Sequence, residues 1–167
     1  MAPTRIPGVY EVAPDRLAAG PYPDGTVEEL VTAGIRCFVD LTEDGADRGG
    51  EYARALPALA DREGCEISYL HLGYDDMSVP TDDRMRAILD AIDDAIDDGL
   101  AVYVHCLMGL GRTGTVVGCW LARHSIATGA DAIERIAALR GAAGLTPHAS
   151  PVTFEQEAFV RRWPAGL

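Results

Sequence analysis

Apolar positions along this chain switch repeatedly between a period of two and a period near 3.6, and each switch marks a boundary between a strand and a helix. Val9 to Val12 and Arg16 to Ala19 predict a short opening hairpin, followed by a helix over Val27 to Ala33 and a strand over Cys37 to Leu41. Glu51 to Ala60 carries a helical pattern that Pro57 is expected to end or kink. A strand over Ile67 to Leu70 precedes a helix over Asp82 to Asp98, capped by Thr81. Ala101 to Val104 is apolar and rich in β-branched and aromatic residues, which predicts a buried strand, and Thr113 to Arg123 is apolar at helical spacing. Ala130 to Leu139 predicts a further helix, and Gly141 to Ala149 is the one long loop. Ser150 and Pro151 read as the cap and first turn of a last helix reaching about Arg162. Strands separated by helices predict an α/β fold with a single central, mostly parallel mixed sheet flanked by helices on both faces. The chain shows no internal repeat, and its 167 residues are expected to form one domain over 1–167.

Charge narrows the chemistry. There are 14 basic and 26 acidic residues, a formal net charge of −12, and every basic residue is arginine. Without lysine, a Walker-type phosphate loop, a pyridoxal Schiff base and a lysine aldolase are excluded. An acidic body also disfavours binding to nucleic acid or to an anionic membrane. Asp82, Asp83, Asp90, Asp93, Asp94, Asp97 and Asp98 read as a solvated helix face opposite an apolar stripe of Met85, Ile88, Leu89, Ile92 and Ile96. His71, His124 and His148 have no metal-ligand spacing with the cysteines, so no metal and no cofactor are expected. The opening Met1-Ala2-Pro3-Thr4-Arg5-Ile6-Pro7 lacks the apolar core of a signal peptide, and no apolar run approaches the length of a membrane span. A cytoplasmic location is expected, where Cys37, Cys65 and Cys119 stay reduced and serve as small apolar residues.

The chemistry concentrates in Val102-Tyr103-Val104-His105-Cys106-Leu107-Met108-Gly109-Leu110-Gly111-Arg112-Thr113-Gly114-Thr115. A loop between a strand and a helix N-terminus presents unpaired backbone N–H groups and the positive end of the helix dipole, which together favour an anion. Gly109 and Gly111 allow the backbone angles such a turn needs. Arg112 adds a planar fork able to grip two phosphate oxygens at once. A thiol at Cys106, set in that positive field, is activated as a nucleophile. Thr113 is placed to offer a hydroxyl hydrogen bond to its sulfur.

His-Cys, five residues, Arg and then Thr-Gly resembles the signature loop of the cysteine-dependent protein tyrosine phosphatases, above all the small dual-specificity group. Rhodanese-type sulfurtransferases have a shorter loop without the Arg-Thr-Gly ending. The low-molecular-weight phosphatases and arsenate reductases place the cysteine loop before the acid, the reverse of the order here. The resemblance implies a proton donor on a loop some thirty residues before the cysteine, and Asp75-Asp76-Met77-Ser78-Val79-Pro80 fits the family's Asp-Met-x-Val-Pro pattern at Asp76. Asp75 is the competing carboxylate, read as a loop residue. Weaker likenesses run through Leu17 to Pro23, Phe38 to Thr42 and Phe154 to Val160. The resemblance gives His105 a role in ordering the loop. For Gln156 it suggests placement of the hydrolytic water, against the plainer reading of an exposed helix glutamine.

The resemblance implies a two-step reaction. Cys106 attacks phosphorus while Asp76 protonates the departing oxygen, and water then hydrolyses the phosphocysteine; Arg112 and the N–H groups of Leu107, Met108, Gly109, Leu110, Gly111 and Arg112 hold the other phosphate oxygens. Phosphoinositide phosphatases of the superfamily carry lysines where this chain has Leu107 and Leu110, so phosphotyrosine in a phosphoprotein or phosphopeptide is the expected substrate. No match to the tyrosine-recognition segment of the longer phosphatases is found, which extends the expectation to phosphoserine and phosphothreonine. Two alternatives stand beside it: a phosphatase of small molecules, inositol phosphates or RNA 5′ ends, and a catalytically silent phosphoprotein-binding module.

Overall fold

The computed structural model describes residues 6–44 and 51–167, so Met1 to Arg5 of the opening segment lie outside the described residues. Among the described residues five strands, β1 (Tyr10–Ala13), β2 (Leu17–Gly20), β3 (Ile35–Asp40), β4 (Ser68–His71) and β5 (Ala101–His105), form one sheet in the order β1-β2-β5-β3-β4. Only the β1–β2 hairpin is antiparallel; β5 runs parallel to both β2 and β3, and β3 parallel to β4. The expected mixed, mostly parallel sheet is present.

Alternation along each strand sorts side chains to two faces. Val102, Val104 and Cys106 point with Cys37, Val39 and Leu41 into the larger core, under helices α3 (Asp82–Asp97), α4 (Gly111–Arg123), α5 (Gly129–Ala142) and α6 (Phe154–Arg162). Phe38 and Tyr103 face the smaller core with α1 (Val27–Thr32), a 3₁₀ turn over Tyr52–Ala55 and α2 (Leu56–Glu63). Helix α3 buries Met85, Ile88, Leu89 and Ile92 completely, each worth about 1.5–3 kcal/mol of transfer free energy. Helix α4 is buried without a break from Arg112 to Ala122, because α3, α5 and α6 all pack around it. Among the described residues no helix is long and apolar enough to cross a membrane.

Four sequence expectations need correction. Pro57 opens α2 in its first turn, where its missing N–H costs nothing, and the helix runs on to Glu63. Ser150 and Pro151 precede the last helix rather than starting it; Thr153 is the cap, in a reciprocal capping box with Gln156. Ser150, joined to Pro151 by a cis peptide bond, spends its hydroxyl on the Leu110 carbonyl at 2.9 Å. Asp93 is not part of the solvated face: it accepts from Trp120 Nε1 at 2.9 Å and pairs with Arg123 and His124 across the α3–α4 contact. Helix α4 begins at Gly111, so Arg112 sits in its first turn and the loop before it is shorter than expected. The predicted hairpin, the Thr81 cap, which accepts from Arg84 N at 3.1 Å, and the free cysteines agree with expectation. Cys37 and Cys119 are buried, and burial pushes the Cys37 thiol up to about 11.

Candidate active site

Strand β5 lies at the centre of the sheet, and the chain leaving its carboxyl end enters the crevice where parallel sheets bind ligands. Cys106 is the first residue past the strand and is 3 % exposed. Among the described residues, none of the backbone N–H groups of Leu107, Met108, Gly109, Leu110, Gly111 and Arg112 finds an acceptor, although the Leu107 carbonyl takes Tyr22 N and the Leu110 carbonyl takes Gly114 N. The first N–H groups of a helix have no partner within it, and such a row of free amides at a helix N-terminus is a seat for an anion.

Gly109 and Gly111 divide the work differently than expected. Gly109 has φ +69°, and a Cβ there would lie 2.4 Å from the Gly20 carbonyl carbon. Gly111 has helical backbone; it is small because the Gln156 amide packs 3.0 Å from where its Cβ would be. The loop is thus threaded between the Gly20–Pro21 backbone on one side and Gln156 on the other.

Arg112 is 2 % exposed. Its Nη1 lies 3.2 Å from the Leu41 carbonyl, the Tyr74 carbonyl and Glu43 Oε2, while Nη2 pairs with Asp76 Oδ1 at 3.1 Å. Its Nε is buried without a partner among the described residues, as is Thr113 Oγ1, which makes no hydrogen bond to the Cys106 sulfur. The side-chain inventory therefore leaves Nε free while fixing the rest of the fork.

The loop that carries Asp75 and Asp76 follows β4. Tyr74 donates its hydroxyl to the Arg112 carbonyl at 3.2 Å, and Asp75 gives its carbonyl to Ser78 Oγ at 2.6 Å. Met77 holds φ +58°, a left-handed conformation that costs free energy for a residue with a Cβ. The Asp76 carboxylate reaches Arg112, and no described contact draws the Asp75 carboxylate there. Glu43, Asp44, Gly73, Tyr74, Asp75 and Asp76 line a cavity of about 510 Å³ beside the guanidinium.

His105 is fully buried, with Nε2 2.6 Å from Tyr52 Oη and Nδ1 3.2 Å from the Cys106 carbonyl. Burial pushes its imidazole down to about 4 against the opposing pull of Asp40, so the ring is neutral near pH 7. Asp40 in turn accepts from Thr42 and from Tyr69. Gln156 is buried, not exposed: its Oε1 accepts from Val152 N and Thr153 N, and its Nε2 donates to the Ser78 carbonyl of the acid loop at 3.1 Å. Sequence reasoning missed Glu43, which stands just past β3 in no recognisable motif; only the parallel pairing of β3 with β5 brings it to the loop.

The family described as polymorphic toxin system, DSP-PTPase phosphatase (Tc-R-P) matches residues 21–126, which include both the acid loop and the cysteine loop. The human dual specificity protein phosphatase CDC14C is 42% identical over 62 residues, 37% of this chain and 13% of that protein. The chain spans less than half the length of the curated relatives it matches. Among solved structures, Tk-PTP in its G95A form superposes with TM-score 0.72 at 24% identity, covering 94% of each chain. PTPMT1 in complex with PI(5)P superposes with TM-score 0.71 at 19% identity, again over 94% of each.

Proposed function

Because the chain belongs to the DSP-PTPase phosphatase family of polymorphic toxin systems, we propose that it hydrolyses phosphate monoesters through a phosphocysteine, with phosphotyrosine in proteins the leading substrate and phosphoserine and phosphothreonine secondary. The observation that carries this reading is the set of unpartnered donors around Cys106: the loop amides and Arg112 Nε. A bound phosphoryl group supplies the acceptors they lack, and donors fixed in advance stabilise the charge of the transition state without reorganisation.

In the first step the Cys106 sulfur forms a bond to phosphorus as the ester P–O bond breaks, and Asp76 gives its proton to the leaving oxygen. In the second, water forms the new P–O bond, the S–P bond breaks, and Asp76 takes the water proton, leaving inorganic phosphate. Thr113, whose hydroxyl has no partner among the described residues, is assigned the hydrogen bond to the departing sulfur. His105, as a neutral ring, donates its Nδ1–H to the Cys106 carbonyl and takes no part in the proton transfers. No step needs a metal or a cofactor. The reading takes residues 1–167 as one catalytic domain acting in the reducing cytoplasm, without nucleic acid or membrane as partner.

An inositol lipid is the weaker substrate. Leu107 and Leu110 give the loop rim no cation, and the neighbouring cavity is lined by Glu43, Asp44, Asp75 and Asp76, which repel a polyanion. Cys106→Ser is expected to lower turnover of phosphotyrosine peptides on the order of 10³-fold or more while inorganic phosphate still binds. Mass spectrometry after acid quench is expected to find one added phosphoryl group on wild type and none on the variant; full turnover by Cys106→Ser would refute the assignment.

A further inference from the structure

Seven large apolar side chains lie exposed among the described residues, and five of them, Met77, Leu107, Met108, Val152 and Phe154, belong to the three segments that meet around the cysteine loop. Met77 follows Asp76, Leu107 and Met108 follow Cys106, and Val152 and Phe154 lead into α6. The lead-in to α6 is fixed against the cysteine loop at two points. Ser150 Oγ donates to the Leu110 carbonyl, and the buried Gln156 amide packs against Gly111 while its Oε1 takes the N–H groups of Val152 and Thr153. The same amide donates to the Ser78 carbonyl, one residue past Met77. Residues two apart on a helix lie about 200° round from each other. With Gln156 turned inward, Phe154 therefore turns outward, and it is 81 % exposed. A phosphorylated residue that reaches Cys106 brings its chain neighbours across this rim, and exposed apolar surface gathered in one place marks a binding site. The net charge of −12 and the carboxylates of Glu43, Asp44, Asp75 and Asp76 in the adjoining cavity repel an anionic lipid surface, so an apolar side chain of a protein substrate is the fitting occupant.

We infer that Phe154, with Val152 and Met108, forms a subsite for an apolar side chain flanking the phosphorylated residue, and so selects among phosphoprotein substrates. The inference rests on the phosphatase reading above and adds to it a substrate class. Phe154 touches neither the phosphoryl group nor the reacting atoms. It supplies binding free energy from a part of the substrate that does not react, which favours one phosphorylated sequence over another without altering the chemistry at phosphorus.

The test uses phosphotyrosine peptides in which each of the two residues on either side is leucine or serine in turn, and para-nitrophenyl phosphate, which has no flanking residue. Wild type should favour leucine over serine at one of these positions by roughly 10-fold in kcat/KM, the low end of what an apolar group is worth in a pocket, because the subsite is open. Phe154→Ala should reduce that preference to about 2-fold or less, and Phe154→Leu should keep most of it. On para-nitrophenyl phosphate both variants should match wild type in kcat and KM. Ile126→Ala removes an exposed apolar side chain past the far end of α4, about 20 Å from the loop, and should leave the preference intact. A wild type with no flanking preference, a preference that survives Phe154→Ala, or an equal loss by Phe154→Ala on para-nitrophenyl phosphate would overturn the inference while leaving the phosphatase reading standing. Turnover of para-nitrophenyl phosphate with none of any peptide would overturn the inference and the choice of a protein substrate. A wild type that hydrolyses neither would overturn the phosphatase reading with it. Co-sedimentation with phosphatidylcholine vesicles that Phe154→Ala abolishes, without a peptide preference, would assign the rim to a membrane and overturn the inference as well.

Discussion

Gly109 and Gly111 look equivalent in the sequence, two small residues in one loop, yet they meet different neighbours. At Gly109 an added methyl runs into the Gly20–Pro21 peptide group, with Gly20 C at 2.4 Å, Pro21 N at 2.5 Å and Gly20 O at 2.6 Å, in a left-handed conformation. Backbone in a sheet cannot step aside. At Gly111 the obstacle is the end of the Gln156 side chain, which can. Gly109→Ala is therefore expected to cost about 2 kcal/mol or more and to weaken phosphate binding, whereas Gly111→Ala costs less. Urea midpoints and phosphate titrations of the two variants would show the order, and equal losses would contradict it. The loop that carries Cys106 and Arg112, and the family match it implied, were legible because they are written in consecutive residues. Glu43 was not, because its importance comes from what lies across the sheet.

Helix α6 shows how local signals compete. Ser150-Pro151 and Thr153-x-x-Gln156 are both helix-start patterns, and the structure uses the second. The reason lies in pairing: Ser150 is drawn to the Leu110 carbonyl, whereas Thr153 Oγ1 is free to accept from Gln156 N at 3.1 Å. The same Gln156 then reaches the acid loop, so one helix cap also secures Ser78. Thr153→Ala should lower stability by about 1 kcal/mol through the lost cap. Its effect on turnover should be larger for phenyl phosphate than for para-nitrophenyl phosphate, as expected of a loosened acid loop; an unchanged denaturation midpoint would show that the cap carries no stability.

The whole molecule sets the pH range through a buried polar cluster beneath the cysteine loop. His105, Tyr52, Asp40, Tyr69 and Thr42 come from β5, β3, β4 and their connections, and they meet only because β5 inserts between β2 and β3. His105 is held neutral by burial with its imidazole pushed down to about 4, while the unfolded ring takes its proton near 6.5. Between those values the unfolded chain binds more protons, so stability is full above 6.5 and falls as pH drops toward 4, by up to about 3 kcal/mol. Urea denaturation at a series of pH values should trace that slope, and His105→Gln should flatten it; a slope unchanged in the variant would assign it to other groups. The sequence by itself determined the alternation of strands and helices, the strand-to-helix loop that carries Cys106 and Arg112, and the family it belongs to, because periodicity and contiguous motifs are local properties. Only the tertiary structure decided that Asp93 is drawn into the α3–α4 contact, that Gln156 is a buried partner, that His105 is a neutral strut, and that Glu43 meets both Arg112 and Asp76. Strand order and packing bring together residues far apart in the chain, and neither spacing nor composition encodes that approach.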